Sequence, residues 1–506
     1  MKRNSLTTAV VAGIAGIAGF AGLANAVDLN PDGLGQVLLY PYYTVNKGQD
    51  TLISVVNTDT EFGKAVKVRF LEGYNSREVL DFNLYLSAAD VWTAWISDDG
   101  SNGAAINTID ESCIDYLPSL PWSFSTGGFD GSGIGASGPI PKDSGPKTKD
   151  RTREGYLEMI LMGDIDPATS LGRAITHKQN GNPDGGVPTC AAPVGDDVVI
   201  PGQLLPPTSG LFGGAWIANV ANGTAFSYNA DAIEGFSYLV NYTGPSSLFP
   251  TLQGARTNPV GIAPPLSGVA RAYVFGDNGA LIMSDYAAGE DAVSAIFMAD
   301  TVYNEYMINA AIGGQSDWVV TFPTKRFYVD NALYPGHVLP PFAEKFGATD
   351  PNQSRIAITL STYDHEEGST DTIIPRCPSP PDASCFAQSP FLPYEVNVIS
   401  FTKTSPPGES TVFGSKLYRT VDPFGDTGGW AGLDLASGDG GHILPRGTNP
   451  NSGNATQFYG LPATGFWAAV AQRGSASANY NGVWRHRAHR TCNDVNTAGQ
   501  PIQACS

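Results

Sequence analysis

Charge is scarce in this sequence, and positive charge is scarcer. Asp, Glu, Lys and Arg make up 15% of its 506 residues, and 29 basic residues face 48 acidic ones. The net charge of −19 disfavours a nucleic-acid partner, because phosphate binding needs clustered Lys and Arg. It equally disfavours docking on anionic lipid through charge. Long apolar runs are missing after residue 26, where nothing approaches the roughly 20 residues that a spanning helix needs. The Cys-x-x-Cys pairs of zinc sites are absent, and so are the Gly-x-Ser-x-Gly elbow, His-Glu-x-x-His and the phosphate-cradling Walker loop. Those gaps remove the commonest local signatures of serine hydrolases, metalloproteases and nucleotide-driven enzymes. They leave glycosidases open, because two carboxylates suffice there and no local motif reveals them.

The N-terminus carries what an export signal requires. Lys2 and Arg3 form a short positive region, Leu6 to Leu23 is uncharged, and Ala24-Asn25-Ala26 is a small-x-small cleavage site. A membrane anchor is the other reading of such a stretch, but this one is short and Gly-rich for a spanning helix. Residues 1–26 are therefore expected to be a cleaved signal peptide, with Val27 the first residue of the exported chain. No Cys stands at the cleavage site, so lipid attachment is not expected there. Export would leave an acidic chain at the cell surface, outside the cell or in the periplasm.

Gly (59), Pro (37) and aromatics are plentiful, which reads as short strands joined by many turns. Six Cys in an exported chain suggest three disulfides. Nearest neighbours in sequence give Cys377–Cys385 and Cys492–Cys505 as short staples, and Cys113–Cys190 around a long insertion. Val66, Val68 and Phe70 alternate with Lys67 and Arg69. Leu80, Phe82, Leu84 and Leu86 alternate with Asp81, Asn83 and Tyr85. The turn chemistry of Gly73-Tyr74-Asn75-Ser76 lies between, so an antiparallel hairpin with one wet face is expected. Further strands are expected at residues 51–57, 91–96, 155–160, 214–220, 235–240, 318–322, 356–360 and 395–398. Pro323 places the end of the strand at 318–322 or an edge. Helical spacing of Ala292, Ala295, Ile296, Ala299, Val302, Tyr303 and Tyr306 predicts a helix over 291–308, with two strands as the alternative.

The expected fold is mainly β, with two or more antiparallel β-sandwich domains, Ig-like or jelly-roll-like, and long Gly/Pro-rich loops. An N-terminal sandwich would span 27–200 with a long surface loop at 118–149. A C-terminal β-rich region, 201–506, would follow, dividing near residue 315.

Several constellations bear on chemistry. Leu461-Pro462-Ala463-Thr464-Gly465 matches a sortase pentapeptide, but no spanning segment follows it. Gly133-Ile134-Gly135-Ala136-Ser137-Gly138 matches the dinucleotide fingerprint without the flanking strand and helix that fingerprint needs. Asn180-Gly181-Asn182-Pro183-Asp184-Gly185 faintly resembles a calcium loop. The better candidate is the acidic, Gly-rich stretch with Asp422, Asp426, Asp434 and Asp439, whose carboxylates suit Ca²⁺. No other cofactor is expected. Asp364-His365-Glu366-Glu367 is the densest titratable cluster and reads as a charged turn. His486 and His489 sit in the densest basic cluster, which would contact an acidic surface of this chain or of a neighbour. Tyr40, Tyr42 and Tyr43 are candidate sugar-stacking aromatics, although burial in a strand is the commoner use of such rings.

Four stretches, Gln49 to Asn57, Val66 to Gly73, Asp317 to Lys325 and Gly460 to Phe466, resemble large uncharacterised exported proteins of Gram-negative bacteria. That resemblance implies a surface or periplasmic location and brings no activity with it. The expected work is that of a non-enzymatic surface or secreted structural protein, acting in adhesion or assembly through self-association or a surface glycan. A secreted carbohydrate-active enzyme or glycan-binding protein is the alternative.

Overall fold

A computed structural model describes residues 26–115, 119–177, 186–255, 269–276, 279–370, 391–403, 408–472, 479–496 and 499–505. The chain is mainly β, built of several antiparallel sheets packed in layers. No helix among the described residues is long and apolar enough to cross a membrane.

The first sheet runs Asp28–Leu29, Asp231–Glu234, Val37–Thr44, Glu154–Ile165, Gly63–Glu72, Glu78–Leu86 and Cys113–Asp115, with Leu204–Leu205 pairing alongside Glu154–Ile165. The second runs Thr224–Asn229, Leu211–Asn219, Asp50–Asn57, Val91–Asp98, Ala104–Asn107 and Trp122–Ser123. The two stack face to face. Phe82 of the first meets Trp92 of the second edge-on at 5.7 Å, and the Tyr40 hydroxyl donates to the Ser54 carbonyl at 2.6 Å. Gly213 is required at this contact, because a Cβ there would lie 2.1 Å from the Tyr40 oxygen. Residues 211–234 thus complete both N-terminal sheets.

The third sheet runs Ala270–Phe275, Leu281–Tyr286, Ile443–Thr448, Ala455–Tyr459, Cys492–Val495 and Pro501–Ala504. The fourth runs Ser369–Thr370, Thr359–Asp364, Gly428–Asp434, Thr301–Met307 and Arg487–His489. The fifth runs Tyr418–Val421, Val396–Phe401, Gln315–Thr321, Thr464–Gln472 and Asn479–Arg485. In the fifth, only Val396–Phe401 and Tyr418–Val421 pair in parallel. The fourth and fifth stack through Tyr306 on Phe401, with ring centroids 5.1 Å apart, and through the Trp318 indole N–H donating to the Glu305 carbonyl at 2.7 Å. One continuous apolar core includes residues of all five sheets.

The expected hairpin forms, with Phe70 opposite Leu80. Its polar face is not wet. Lys67 is wholly buried and pairs with Asp81, while Arg69 is buried between Glu78 (2.7 Å) and Glu158 (2.8 Å). The cover comes from the carbonyls of Gly244 and Pro245 over Lys67, and from Arg326, which shares Glu158 with Arg69. The predicted helix over 291–308 is half right. Residues Gly289–Phe297 are helical, but Thr301–Met307 is a strand in which Val302, Asn304 and Tyr306 are buried and Tyr303 and Glu305 exposed. Residues 235–240 are not a strand: the ladder ends at Glu234, Gly235 turns away with φ +62°, and only Ser237 makes an isolated bridge. Pro323 follows a strand that lies in the middle of its sheet and ends at Thr321.

The Gly/Ser/Pro stretch around 119–149 is irregular but fastened. Phe124 and Phe129 are buried in the core, and Arg77 donates to the carbonyls of Gly128 (2.9 Å) and Pro141 (2.6 Å). Cys113–Cys190 and Cys492–Cys505 are disulfides. Cys377 and Cys385 lie outside the described residues, as does the Asn180–Gly185 loop.

Candidate functional site

Strand alternation builds an apolar outer surface on the second sheet. Ile53, Val55, Ala215, Ile217, Trp92, Ala94 and Ile96 point inward and are buried. Their neighbours must then point outward. The register sets Phe212 beside Val56 and Val91, and Trp216 beside Leu52 and Trp95. Between these two apolar rows lies a row of small residues, Gly214, Ser54 and Thr93. Phe212, Trp216 and Val91 are 43%, 49% and 47% exposed, values at which a large apolar group remains in contact with water. Neighbouring strands lie about 4.8 Å apart, so the Trp216 and Trp95 backbones are roughly 10 Å apart; the two rows, four residues apart along the strand, are separated by roughly 13 Å. Asp50 and Asp98 mark one end of the face.

A smaller exposed aromatic group lies on the fourth sheet. Tyr363 stacks on Trp430 at 4.2 Å, and Tyr303 lies over Gly432 beside them at 6.2 Å from the Trp430 ring. The tyrosines expected to be sugar-stacking candidates are elsewhere: Tyr40, Tyr42 and Tyr43 are wholly buried. Tyr42 packs on Phe413, and its hydroxyl donates to Glu154 at 2.9 Å. The exposed rings were missed because residues 91–96 and 214–220 read as strands without their faces being assigned. Apolar residues on both faces of these strands were the available signal.

The strongest electrostatics are buried between the N-terminal sheets and the C-terminal part. Arg151 is clamped between Glu72 (2.7 and 2.8 Å) and Asp143 (2.6 and 3.0 Å). Burial alone would raise the Asp143 pKa, but the Arg151 guanidinium holds it well below the usual carboxylate range. Arg326, on the short helix Lys325–Val329, forks onto Glu158 at 2.8 and 3.0 Å and donates to the Tyr156 hydroxyl at 3.0 Å. Burial pushes Glu395 up to about 8 despite Lys325 and Arg326 nearby. It also pushes Lys325 down to about 8, although that ammonium donates to the carbonyls of Ser354 (2.9 Å) and Tyr394 (3.0 Å). Glu72, Asp143 and Glu158 are therefore committed to holding guanidinium groups.

The four candidate Ca²⁺ ligands are placed apart in role. Asp422 and Asp426 flank the Lys403 ammonium at 3.1 and 3.8 Å. Asp434 accepts from the backbone N–H groups of Ala436 and Ser437, and Asp439 from that of Ala357. No group of three or more His, Cys, Asp or Glu side chains that could hold a metal ion occurs among the described residues. Asp364 caps its own turn, accepting from the N–H groups of Glu366 and Gly368. The basic cluster contacts acidic groups of the same chain: Arg485 pairs with Asp231, and His489 with Asp300 at 2.8 Å. His486 lies between the Val319 carbonyl (2.9 Å) and Asn304 (3.1 Å), and burial lowers its pKa to about 4, which keeps the ring neutral. Asp231, Arg485 and His486 help line a cavity of about 70 Å³, room for two or so waters. Gly133–Gly138 falls in a two-stranded hairpin, and Leu461–Pro462 is a buried strand pairing with Met298–Ala299. No protein-family model, no curated protein and no solved structure matches the chain.

Proposed function

We propose that this chain is an exported, non-enzymatic surface protein that works in adhesion or assembly, and that the outer face of its second sheet makes the contact. The observation that carries this reading is the pair of apolar rows, Phe212–Val56–Val91 and Trp216–Leu52–Trp95. Contiguous apolar surface at a sheet face marks an interaction site when it is large, because water is displaced favourably when a partner covers it. Aromatic residues dominate such contacts, since each buries a large rigid surface at small entropic cost. Cell fractionation, surface protease accessibility and native size of the released protein test the reading. Large surface assemblies that fall to monomers in a Phe212→Ser, Trp216→Ser variant support it. A periplasmic monomer unaffected by those substitutions refutes it.

The second reading is a glycan-binding protein, favoured by the exposed indole of Trp216 with the half-buried Trp95 on the same face, since the C–H faces of sugars pack well on such rings. Its mark would be a monomer that binds on a glycan array and loses binding on Trp216→Ser.

A further inference from the structure

We propose that the Ala26–Val27 bond is cut before the fold closes, so that the chain crosses the membrane unfolded and Val27 then latches the first sheet to the third. The proposal rests on the export reading and adds the order of events and the kind of export route.

Val27 is no loose end. Its N–H donates to the Arg271 carbonyl at 2.8 Å, and its own carbonyl accepts from the Tyr273 N–H at 2.9 Å, forming a parallel bridge to Ala272. The next residues turn to the other sheet, with Asp28 paired to Glu234 and Leu29 to Ile233. The Asn30 N–H continues the ladder to the Ala232 carbonyl at 3.0 Å. Residues 27–30 therefore stitch Asp231–Glu234 of the first sheet to Ala270–Phe275 of the third. Ala26 is 1% exposed and Val27 wholly buried. Gly235 closes the wall, because a Cβ there would lie 2.0 Å from the Ala26 carbonyl oxygen.

A peptidase must take its substrate as an extended segment whose backbone groups are free to pair with the enzyme. Here the groups of Val27 on both sides are already paired, and the carbonyl that water must attack is walled off by backbone. Hydrolysis adds hydroxide to the Ala26 carbonyl carbon and protons to the Val27 nitrogen, leaving a carboxylate on the released segment and an α-ammonium on Val27. That step is open only while residues 26–30 are unpaired. An export route that carries folded proteins would deliver the bond already sealed, so the structure points to a channel that carries unfolded chains.

The test uses the full 506-residue precursor with purified signal peptidase in detergent. One sample is held in urea at a concentration the peptidase tolerates. The other is refolded with the Cys113–Cys190 disulfide formed. Intact mass and N-terminal sequencing read the product. The expected result is cleavage to a chain beginning at Val27 in the unfolded sample, with at least a tenfold slower cut in the folded one. A six-residue Gly/Ser spacer inserted between Ala26 and Val27 should restore cleavage of the folded form. Equal rates for folded and unfolded precursor overturn the proposal and leave the export reading standing. No cleavage at this bond in either sample, nor in the spacer variant, overturns the export reading and the proposal with it.

Discussion

Arg326→Met is the sharpest probe of what holds the N-terminal sheets to the C-terminal part. Arg326 is 2% exposed, and Glu158 is wholly buried on the long strand Glu154–Ile165. Methionine leaves most of the side-chain volume in place, so the change removes charge and hydrogen bonds and opens only a small void. Glu158 then keeps one guanidinium partner, Arg69 at 2.8 Å, and the Tyr156 hydroxyl loses its donor. Removing one side of a buried ion pair costs about 3–5 kcal/mol, because the remaining charge stays out of water without compensation. With Arg69 still in place, the low end applies, about 3 kcal/mol. In guanidinium titrations followed by Trp fluorescence, that loss lowers the midpoint by roughly 0.5 M for a chain of this size. The double variant Arg326→Met, Glu158→Leu should recover part of it, since Arg69 retains Glu78 and no carboxylate is stranded. A single variant within about 0.5 kcal/mol of wild type, a loss typical of solvated pairs, would refute the view that these charges are dry and hold the seam.

Three further outcomes follow from the same physics. Glu395→Gln should flatten the pH dependence of stability: the folded-state pKa of Glu395 is raised to about 8, so wild type holds its full share below pH ~4.3 and loses it, relative to the variant, as pH rises through 8. Paired melts from pH 4 to 9 check this, and parallel curves would contradict it. Replacing Cys113 and Cys190 by Ala should cost about 4–5 kcal/mol on the chain-entropy account, because that bridge spans 77 residues; denaturant midpoints of oxidised wild type and variant measure it. Gly128→Ala should cost about 1–3 kcal/mol, because the added Cβ would lie 2.0 Å from the Glu78 carbonyl oxygen and force backbone apart; a thermal melt unchanged within error would show that the 119–149 segment yields freely.

The strands were legible wherever apolar residues alternated, as at 50–57, 63–72 and 78–86. What periodicity could not show was the second cover. Lys67 and Arg69 read as solvent-facing because charge normally seeks water. In the structure Asp81 and Glu78 pair with them from the neighbouring strand of the hairpin, but the groups that close the face come from far along the chain: Glu158, itself held by Arg326, and the carbonyls of Gly244 and Pro245. The helix expected over 291–308 failed for a related reason. Val302 and Tyr306 fit a spacing of four as well as a spacing of two, and only the exposure of Tyr303 and Glu305 distinguishes them. The nearest-neighbour pairing was readable as a choice of consecutive Cys: Cys492–Cys505 closes a 13-residue loop, whereas Cys113–Cys190 closes one of 77 residues that includes the strand Glu154–Ile165. The apolar rows were not, because cross-strand neighbours 35 to 164 residues apart in sequence build them.

The placement of Val27 and Cys505 sets how this protein would carry tension. Val27 bridges to the strand at one edge of the third sheet, and the strand ending at Ala504 forms the opposite edge. A pull between those two points runs across the hydrogen-bond ladder of one sheet. The Cys492–Cys505 link carries the load past the outermost pairing and into the sheet interior. Most of the remaining pairings are several rungs long, but Leu281–Tyr286 meets Ile443–Thr448 through the single pair Asp285 and Thr448. That rung is the mechanical fuse: under load the strands Ala270–Phe275 and Leu281–Tyr286 would part from the rest of their sheet there, while residues 28–30 stay paired to the first sheet.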